Sequence, residues 1–308
     1  MLKKFNSHNV TWLNVQKPTQ EEVRNLMLQY KLHPLVAEEL MSPTFKPKVN
    51  LHSDYIYLIL HFPFLKKDGQ YIKFVSKEID FVIGKDFLIT TSYDDNINSL
   101  EEFEKIFEVD SILSSENEED NHAGYLFYYI VQKMYETLLD ELDYLENQQK
   151  EMEKFIFNGE EKRMVKEISK MGHNLLDFKQ ATVHHKEALD SLEIAGEHLF
   201  GEEFSHYLRR VNDKYRKVYH LLKTSQENLK ELRETNDSLL TTKQNETMKI
   251  FTILAFVTFP LSLLASLFGM NTIHTPVVGI NHDFWFIILG MLSATGMMFA
   301  YFKFKKWF

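Results

Sequence analysis

The chain has 308 residues, with 35 Lys and Arg against 44 Asp and Glu, a net charge of −9 and no cysteine. That balance argues against a nucleic-acid binder, which carries a basic face, and 44% hydrophobic residues exclude a disordered chain. Without cysteine there are no disulfides, thiolate metal sites or cysteine nucleophiles.

In chain order, residues 1–121 read as a mixed α/β subdomain with an acidic end. Val10–Val15 fits a strand. Pro18-Thr19-Gln20-Glu21-Glu22 is a helix start, with Thr19 as cap and Glu22 three residues on, as in a capping box. That helix runs to about Tyr30, and a short second helix follows Pro34. Tyr55–Phe64 and Ile79–Thr91 are β-branched and aromatic, and Gly84-Lys85-Asp86 marks a tight hairpin. The expected sheet is small and antiparallel, flanked by helices. Residues 101–121 hold nine acidic residues and one basic, and read as a solvated loop.

Residues 122–200 read as a helical hairpin, one helix from Gly124 to Phe157 and one over roughly 160–199, turning at Asn158-Gly159. The adjacent His184 and His185 have no ligand-spaced partner and are assigned to the surface. On this hairpin Asp140, Glu141, Asp143 and Glu146 form an acidic row, read first as a solvated helix face. From residue 202 to 259 there is no Gly or Pro. An unbroken helix over that stretch would be about 87 Å long. Positions 208, 211, 215, 218, 222, 225, 229, 232, 236 and 239 follow a heptad, and all but Ser225 and Asn236 are apolar. Such a seam needs a partner helix, either the neighbouring hairpin or the same helix of another subunit. Residues 201–249 are therefore a stalk that runs straight into the apolar stretch beginning at residue 250.

The mean hydropathy of −0.29 describes a soluble protein, but the average conceals the C-terminus. Residues 250–268 and 284–302 are each free of charge and apolar all round. At about 1.5 Å per residue each spans roughly 28 Å, close to a bilayer's hydrocarbon core. The N-terminal MLKKFNSHNVTW lacks an apolar h-region, so no cleaved signal is expected. Lys243 and Lys249 precede the first span, and Lys303, Lys305 and Lys306 lie in the tail, residues 303–308. The connecting loop, residues 269–283, has no Lys or Arg. The positive-inside rule puts both termini in the cytoplasm and the loop outside. Trp285 and Trp307 bracket the second span as interfacial aromatics.

Two spans cannot enclose a path through lipid, so the chain is either anchored or assembled around a central hole. Thr258, Ser262 and Ser266 lie on one face of the first span, open between helix glue and pore lining. No carboxylate lies within either span. A wall of neutral oxygens suits a cation that keeps its water, and Mg²⁺ dehydrates most reluctantly of the common ones.

The segment Phe268-Gly269-Met270-Asn271 closes the first span and resembles the Gly-Met-Asn signature of the CorA family of magnesium and cobalt transporters. So do Asn245–Asn271 around it and Tyr301–Trp307 at the end. Trp12–Val23, Leu32–Leu40 and Phe87–Thr91 extend the likeness over essentially the whole chain. The resemblance implies an α+β cytoplasmic domain, a long stalk helix and two C-terminal spans, in a CorA-like funnel built as a homopentamer in the cell (inner) membrane. It implies a passive Mg²⁺ channel, not an enzyme, with Gly269, Met270 and Asn271 as the selectivity element. Asn271 would form a ring of amides that hydrogen-bond the waters of a hydrated ion. By the same matching Asn245, Met248, Phe251, Thr252, Ala255, Phe259 and Ser262 face the pore. Rings of Met248, Phe251 and Phe259 would form an apolar constriction that gates by dewetting.

The resemblance also implies regulation by cytoplasmic Mg²⁺ between subunits, with Asp94, Asp95 and Asp213 as candidate carboxylates and the acidic row of the hairpin as an alternative. Arg210 departs from the family, standing where well-known members have an acid. The outer loop departs too, since Asp283 is its one acid, with His274 and His282 beside it. These histidines leave room for Co²⁺, Ni²⁺ or Zn²⁺. A zinc transporter of the same architecture, proton-coupled, is the alternative function. A non-conducting membrane sensor or scaffold is the alternative from another class. The partners expected are further copies of the chain, lipid and divalent cations, and no nucleic acid.

Overall fold

In the computed structural model, residues 2–7, 10–68, 71–94, 100, 103–104, 122–270 and 277–305 are described. The acidic stretch 105–121, Asp95, and the loop residues Asn271 and His274 lie outside them, as do Lys306 and Trp307. The chain divides into two compact units, residues 1–233 and 234–308.

The first unit is built on a six-stranded sheet in the order β1-β2-β6-β5-β4-β3. The strands are β1 (Leu2–Ser7), β2 (Val10–Gln16), β3 (Lys48–Leu51), β4 (Tyr55–Asp68), β5 (Tyr71–Gly84) and β6 (Phe87–Ser92). The sheet is mixed rather than antiparallel throughout, because β2 pairs with β6 in parallel, Thr11 opposite Phe87 and Gln16 opposite Ser92. The intervening chain carries α1 (Gln20–Tyr30) and α2 (Pro34–Glu39) before β3. Parallel neighbours need such a crossover, which local strand signals do not reveal.

Local signals act as anticipated at α1. Thr19 Oγ1 accepts the Glu22 N–H at 3.3 Å, and the Glu22 carboxylate accepts the Thr19 N–H at 2.9 Å, which closes the capping box. The β5–β6 hairpin forms where expected, with Ile83 opposite Leu88. Its Gly84 is needed for space and not for a left-handed turn. A Cβ there would lie 2.3 Å from the Phe87 ring.

Each face of the sheet is covered. On one, Tyr57, Ile59, Val82 and Ile89 bury against Val23 and Leu26 of α1 and Val36 and Leu40 near α2. On the other, Phe81 meets Phe127 edge-to-face at 5.2 Å and Phe62 meets Tyr135 at 5.7 Å. Phe127 and Tyr135 belong to α3 (Ala123–Phe157).

The expected single helix over 160–199 is two, α4 (Glu161–Thr182) and α5 (His185–Phe200). The break at Val183-His184 has no Gly or Pro. It seats His185, which is 0% exposed, against the sheet, where its Nε2 donates to the His61 carbonyl at 2.8 Å. His185 is thus a core residue and not the surface residue expected. Its Nδ1 accepts the Tyr135 hydroxyl at 2.7 Å, and burial pushes the imidazole down to about 3, so it stays neutral.

These contacts finish an edge of the sheet. Beyond Ile59, β4 has no strand on its β3 side among the described residues. Alternate residues His61, Pro63 and Leu65 aim their backbone groups there. The His61 carbonyl takes His185, Pro63 has no N–H to leave unpaired, and the Leu65 N–H donates to Glu141 of α3.

The long helix α6 runs from Glu202 to Phe268 and continues through Pro260. Its heptad partner over residues 208–229 is the same chain's helical layer. Leu208, Val211, Tyr215, Val218, Leu222 and Leu229 are buried, and the Tyr215 ring lies 6.0 Å from His185 and 6.3 Å from Tyr135. At the polar heptad position Ser225, also buried, the backbone carbonyl accepts the buried Gln149 amide at 3.0 Å.

Phe81 links sheet to helical layer, so Phe81→Ala should cost about 3–5 kcal/mol. The expected outcome is a lower thermal unfolding midpoint of the purified full chain, read by near-UV circular dichroism.

Candidate ion path and regulatory carboxylates

The second unit holds the apolar end of α6 and helix α7 (Asp283–Phe304), each long and apolar enough to cross a membrane. They pack through one stripe. Ile253, Val257 and Phe302 are buried together, with Leu261 and Met298 against them, and the Phe256 and Phe302 rings lie 6.4 Å apart. Residues 253, 257 and 261 are four apart, so α7 covers one face of α6.

The other face carries the residues expected to line a path. At about 3.6 residues per turn, Met248, Ala255 and Phe259 lie roughly opposite Val257, flanked by Asn245, Phe251, Thr252 and Ser262. Met248, Phe251 and Phe259 are 62%, 61% and 73% exposed within this chain. Thr252 donates its hydroxyl to the Met248 carbonyl at 2.8 Å, and Thr258 to that of Leu254 at 2.9 Å. Their lone pairs face outward while the donors serve the helix.

At the end of α6 the Gly269 N–H still bonds the Ala265 carbonyl at 3.0 Å, and the Met270 N–H bonds Leu267 at 3.3 Å. Gly269 is not left-handed, because the described glycines with positive φ are Gly159, Gly201 and Gly279. A Cβ at Gly269 would press the Ala265 carbonyl oxygen at 3.2 Å. Asn271, next in line, is outside the described residues.

Asp283 is not an idle loop acid. One carboxylate oxygen accepts the Gly279 N–H at 3.0 Å and the other the Phe284 N–H at 2.7 Å. Those two donors hold its pKa below the ordinary value. His282 precedes it with φ 73°.

Of the regulatory candidates, Asp94 is exposed just past β6. Asp213 is 67% exposed on α6, with Arg216 Nη1 at 4.0 Å. Arg210 lies over the Tyr207 ring at 5.7 Å. In the acidic row of α3, Asp140 and Asp143 are exposed, and Glu146 pairs with Lys150 at 2.7 Å. Glu141 is different, turned toward the sheet edge. Burial pushes its carboxyl up to about 8, against the Leu65 N–H and with a further push from Asp140. No group of three or more His, Asp or Glu among the described residues is arranged to hold a metal within one chain.

The buried polar cluster around Glu78 and Asp80 of β5 had no sequence signal beyond two acids in an apolar strand. Glu78 accepts the Thr44 N–H at 2.6 Å and lies 3.0 Å from His61 Nε2. Asp80 Oδ2 accepts the Tyr57 hydroxyl at 3.0 Å and the Tyr93 hydroxyl at 2.8 Å.

An α/β domain whose last helix continues into the first of two helices apolar enough to cross a membrane defines the class of membrane protein to which the chain's architecture belongs. The family model of the CorA-like Mg²⁺ transporter proteins matches residues 7–306. The chain belongs to the CorA-like Mg²⁺ transporter family.

Similar proteins include the cobalt/magnesium transport protein CorA of Thermotoga maritima, 23% identical over 304 residues, covering 98% of this chain and 84% of that protein. The cobalt/magnesium transport protein CorA of Methanocaldococcus jannaschii is 19% identical, covering 96% and 90%. The complete structure of the CorA magnesium transporter from M. jannaschii aligns with TM-score 0.82 at 17% identity, covering 99% of this chain and 93% of that one. The ZntB cytoplasmic domain from Vibrio parahaemolyticus aligns with TM-score 0.62 at 11% identity, over 77% and 90%.

Because the folded state holds a proton on Glu141 that the unfolded chain releases above its ordinary 4.5, stability falls as pH rises from there to about 8. Glu141→Gln should flatten that fall. Near pH 8 it should melt above the parent, by a gain of up to a few kcal/mol, and near pH 4 the two should coincide. Thermal melts across pH check this.

Proposed function

We propose that the chain assembles as a homopentamer in the cell (inner) membrane, both termini cytoplasmic, and conducts hydrated Mg²⁺ passively inward, with Co²⁺ and Ni²⁺ as further substrates. The observation that carries this reading is the Gly-Met-Asn segment at the end of a span whose α7-facing stripe is Ile253, Val257 and Leu261. That packing leaves Met248, Ala255 and Phe259 for a shared axis. Five copies would bring Asn271 into a ring of amides at the outer mouth. Its oxygens accept hydrogen bonds from water without replacing it, which suits an ion that keeps its shell. Met248, Phe251 and Phe259 would form the dry constriction below.

Cytoplasmic Mg²⁺ is the proposed inhibitor. Asp94, Asp95 and Asp213 are the proposed regulatory carboxylates, bridged across subunits when metal is bound and repelling when it is absent. Limited proteolysis of the purified protein should slow as Mg²⁺ rises to millimolar levels. Identical patterns with and without Mg²⁺ would count against cytoplasmic sensing.

The structural likeness to a ZntB cytoplasmic domain keeps a proton-coupled Zn²⁺ transporter as the second reading. Flux into proteoliposomes separates the two. Mg²⁺ entry without a pH gradient is expected, whereas Zn²⁺ entry that needs a pH gradient, with no Mg²⁺ flux, would defeat the Mg²⁺ channel. Asn271→Ala should lower Mg²⁺ flux about tenfold or more, a loss of about 1.4 kcal/mol. A non-conducting scaffold would show no change.

A further inference from the structure

The Glu78 and Asp80 carboxyls meet inside the first unit, and their hydrogen bonds fix where a proton must lie. They are two residues apart on β5, so they share a face of the sheet. Both are buried, Glu78 6% exposed and Asp80 0%. The Asp80 carboxyl reaches that of Glu78. Two ionised carboxylates in contact there would repel with little water to screen them.

The partners of each oxygen are unequal. Asp80 Oδ2 accepts two hydroxyls, from Tyr57 at 3.0 Å and Tyr93 at 2.8 Å. Asp80 Oδ1 is buried and faces no donor. Glu78 has several donors: the Thr44 N–H at 2.6 Å, the Thr44 hydroxyl at 3.3 Å and, at 3.0 Å, His61 Nε2, which also lies 2.9 Å from the Thr44 carbonyl. An oxygen without a donor beside a carboxylate rich in donors is the place for an acidic proton.

We propose that Asp80 is protonated on Oδ1 at neutral pH and donates to the Glu78 carboxylate, forming a proton-binding site that holds the segment after β6 to the sheet. That segment is tied by Tyr93, whose hydroxyl bonds Asp80 and lies 3.1 Å from the Glu39 carbonyl at the end of α2. On the other side Glu78 holds Thr44, in the loop after α2. The remaining charged groups around the pair are accounted for. Glu39 pairs with Lys48 of β3, and the Lys48 ammonium lies over the Tyr57 ring at 5.4 Å. Among the described residues His61 is the cationic candidate that touches the pair, and it faces Glu78. Burial and the Glu78 charge both raise the Asp80 pKa well above the ordinary range, opposed by the two tyrosine hydroxyls.

Loss of the proton would set two carboxylates against each other and strain the junction between the two tethers, although the Tyr93 hydroxyl itself bonds an ionised Asp80 more strongly. Asp94 follows Tyr93 directly. If Asp94 senses Mg²⁺, its anchoring then depends on cytosolic pH; this consequence rests on the proposed function, whereas the shared proton does not.

Infrared spectroscopy of the full-length protein in detergent reads the carbonyl stretch of protonated carboxyls. It is measured in the Glu141→Gln background so that the carboxyl pushed up to about 8 is silent. A protonated-acid band is expected at about pH 7, absent in Asp80→Asn, and lost as pH is raised. Tyr93→Phe, which removes a donor to the ionised form, should retain the band to higher pH, and this keeps the assignment testable if the Asn variant does not fold. No such band at neutral pH, or a band unchanged by both substitutions, overturns the proposal. In thermal melts the parent should lose stability more steeply than Asp80→Asn as pH rises from the ordinary carboxylate range through the pH at which the band disappears, because the folded state alone holds the proton. Equal slopes would also overturn it. Mg²⁺ protection from protease near residue 93 should weaken over that range in the parent and not in Asp80→Asn. Protection absent at every pH would remove the sensing role and leave the proton to stand on the spectra.

Discussion

Between Glu202 and Phe268 one hydrogen-bonded helix serves two solvents. In water it can bury only a stripe, and its heptad supplies one. In hydrocarbon its backbone must satisfy itself, which a helix does without help from neighbours. The rest of the structure depends on this requirement. The helical layer of the first unit exists to cover Leu208 through Leu229, and α7 covers Ile253, Val257 and Leu261. Pro260 costs one backbone bond where a span tolerates it.

The first unit solves a second backbone problem at the end of β3. Continuing β4 alone would expose polar groups on one edge. Helices α3 and α5 bring Glu141 and His185 to that edge, and both stay neutral there at physiological pH because burial penalises charge. Neutral side chains of ordinarily charged type thus act as fixed donors and acceptors. The same economy appears at Asp80, on the opposite side of the sheet, where a shared proton replaces a counter-ion. Buried pairs such as Trp12 with Thr90 and Tyr135 with His185 are joined by hydrogen bonds between neutral groups and not by ion pairs, whose net value is small.

Sequence patterns located α1, α2 and the β5–β6 hairpin because their signals are local: a capping box, a Pro at the first helical turn, a tight turn between β-branched runs. The heptad of α6 was equally plain, but its partner was not, since a seam specifies an apolar face and not what covers it. The parallel pairing of β2 with β6 and the break at Val183-His184 left no local mark. The former depends on a crossover of many residues, and the latter on a histidine finding a carbonyl 124 positions away.

The amino-acid sequence by itself determined the two apolar spans, their charged flanks, the signature that ends the first and the family to which the chain belongs. It did so because hydropathy and short motifs are properties of consecutive residues. Tertiary structure alone decided which face of α6 meets α7, that His185 is interior and Glu141 turned to the sheet edge, and that Glu78 and Asp80 touch. Ionisation depends on solvent and neighbours brought together by folding, and a row of acids reads alike in sequence whether it faces water or the sheet. The net charge of −9 is therefore a formal count. Folding neutralises Glu141 at neutral pH and leaves Asp94 and Asp213 among the carboxylates exposed to solvent.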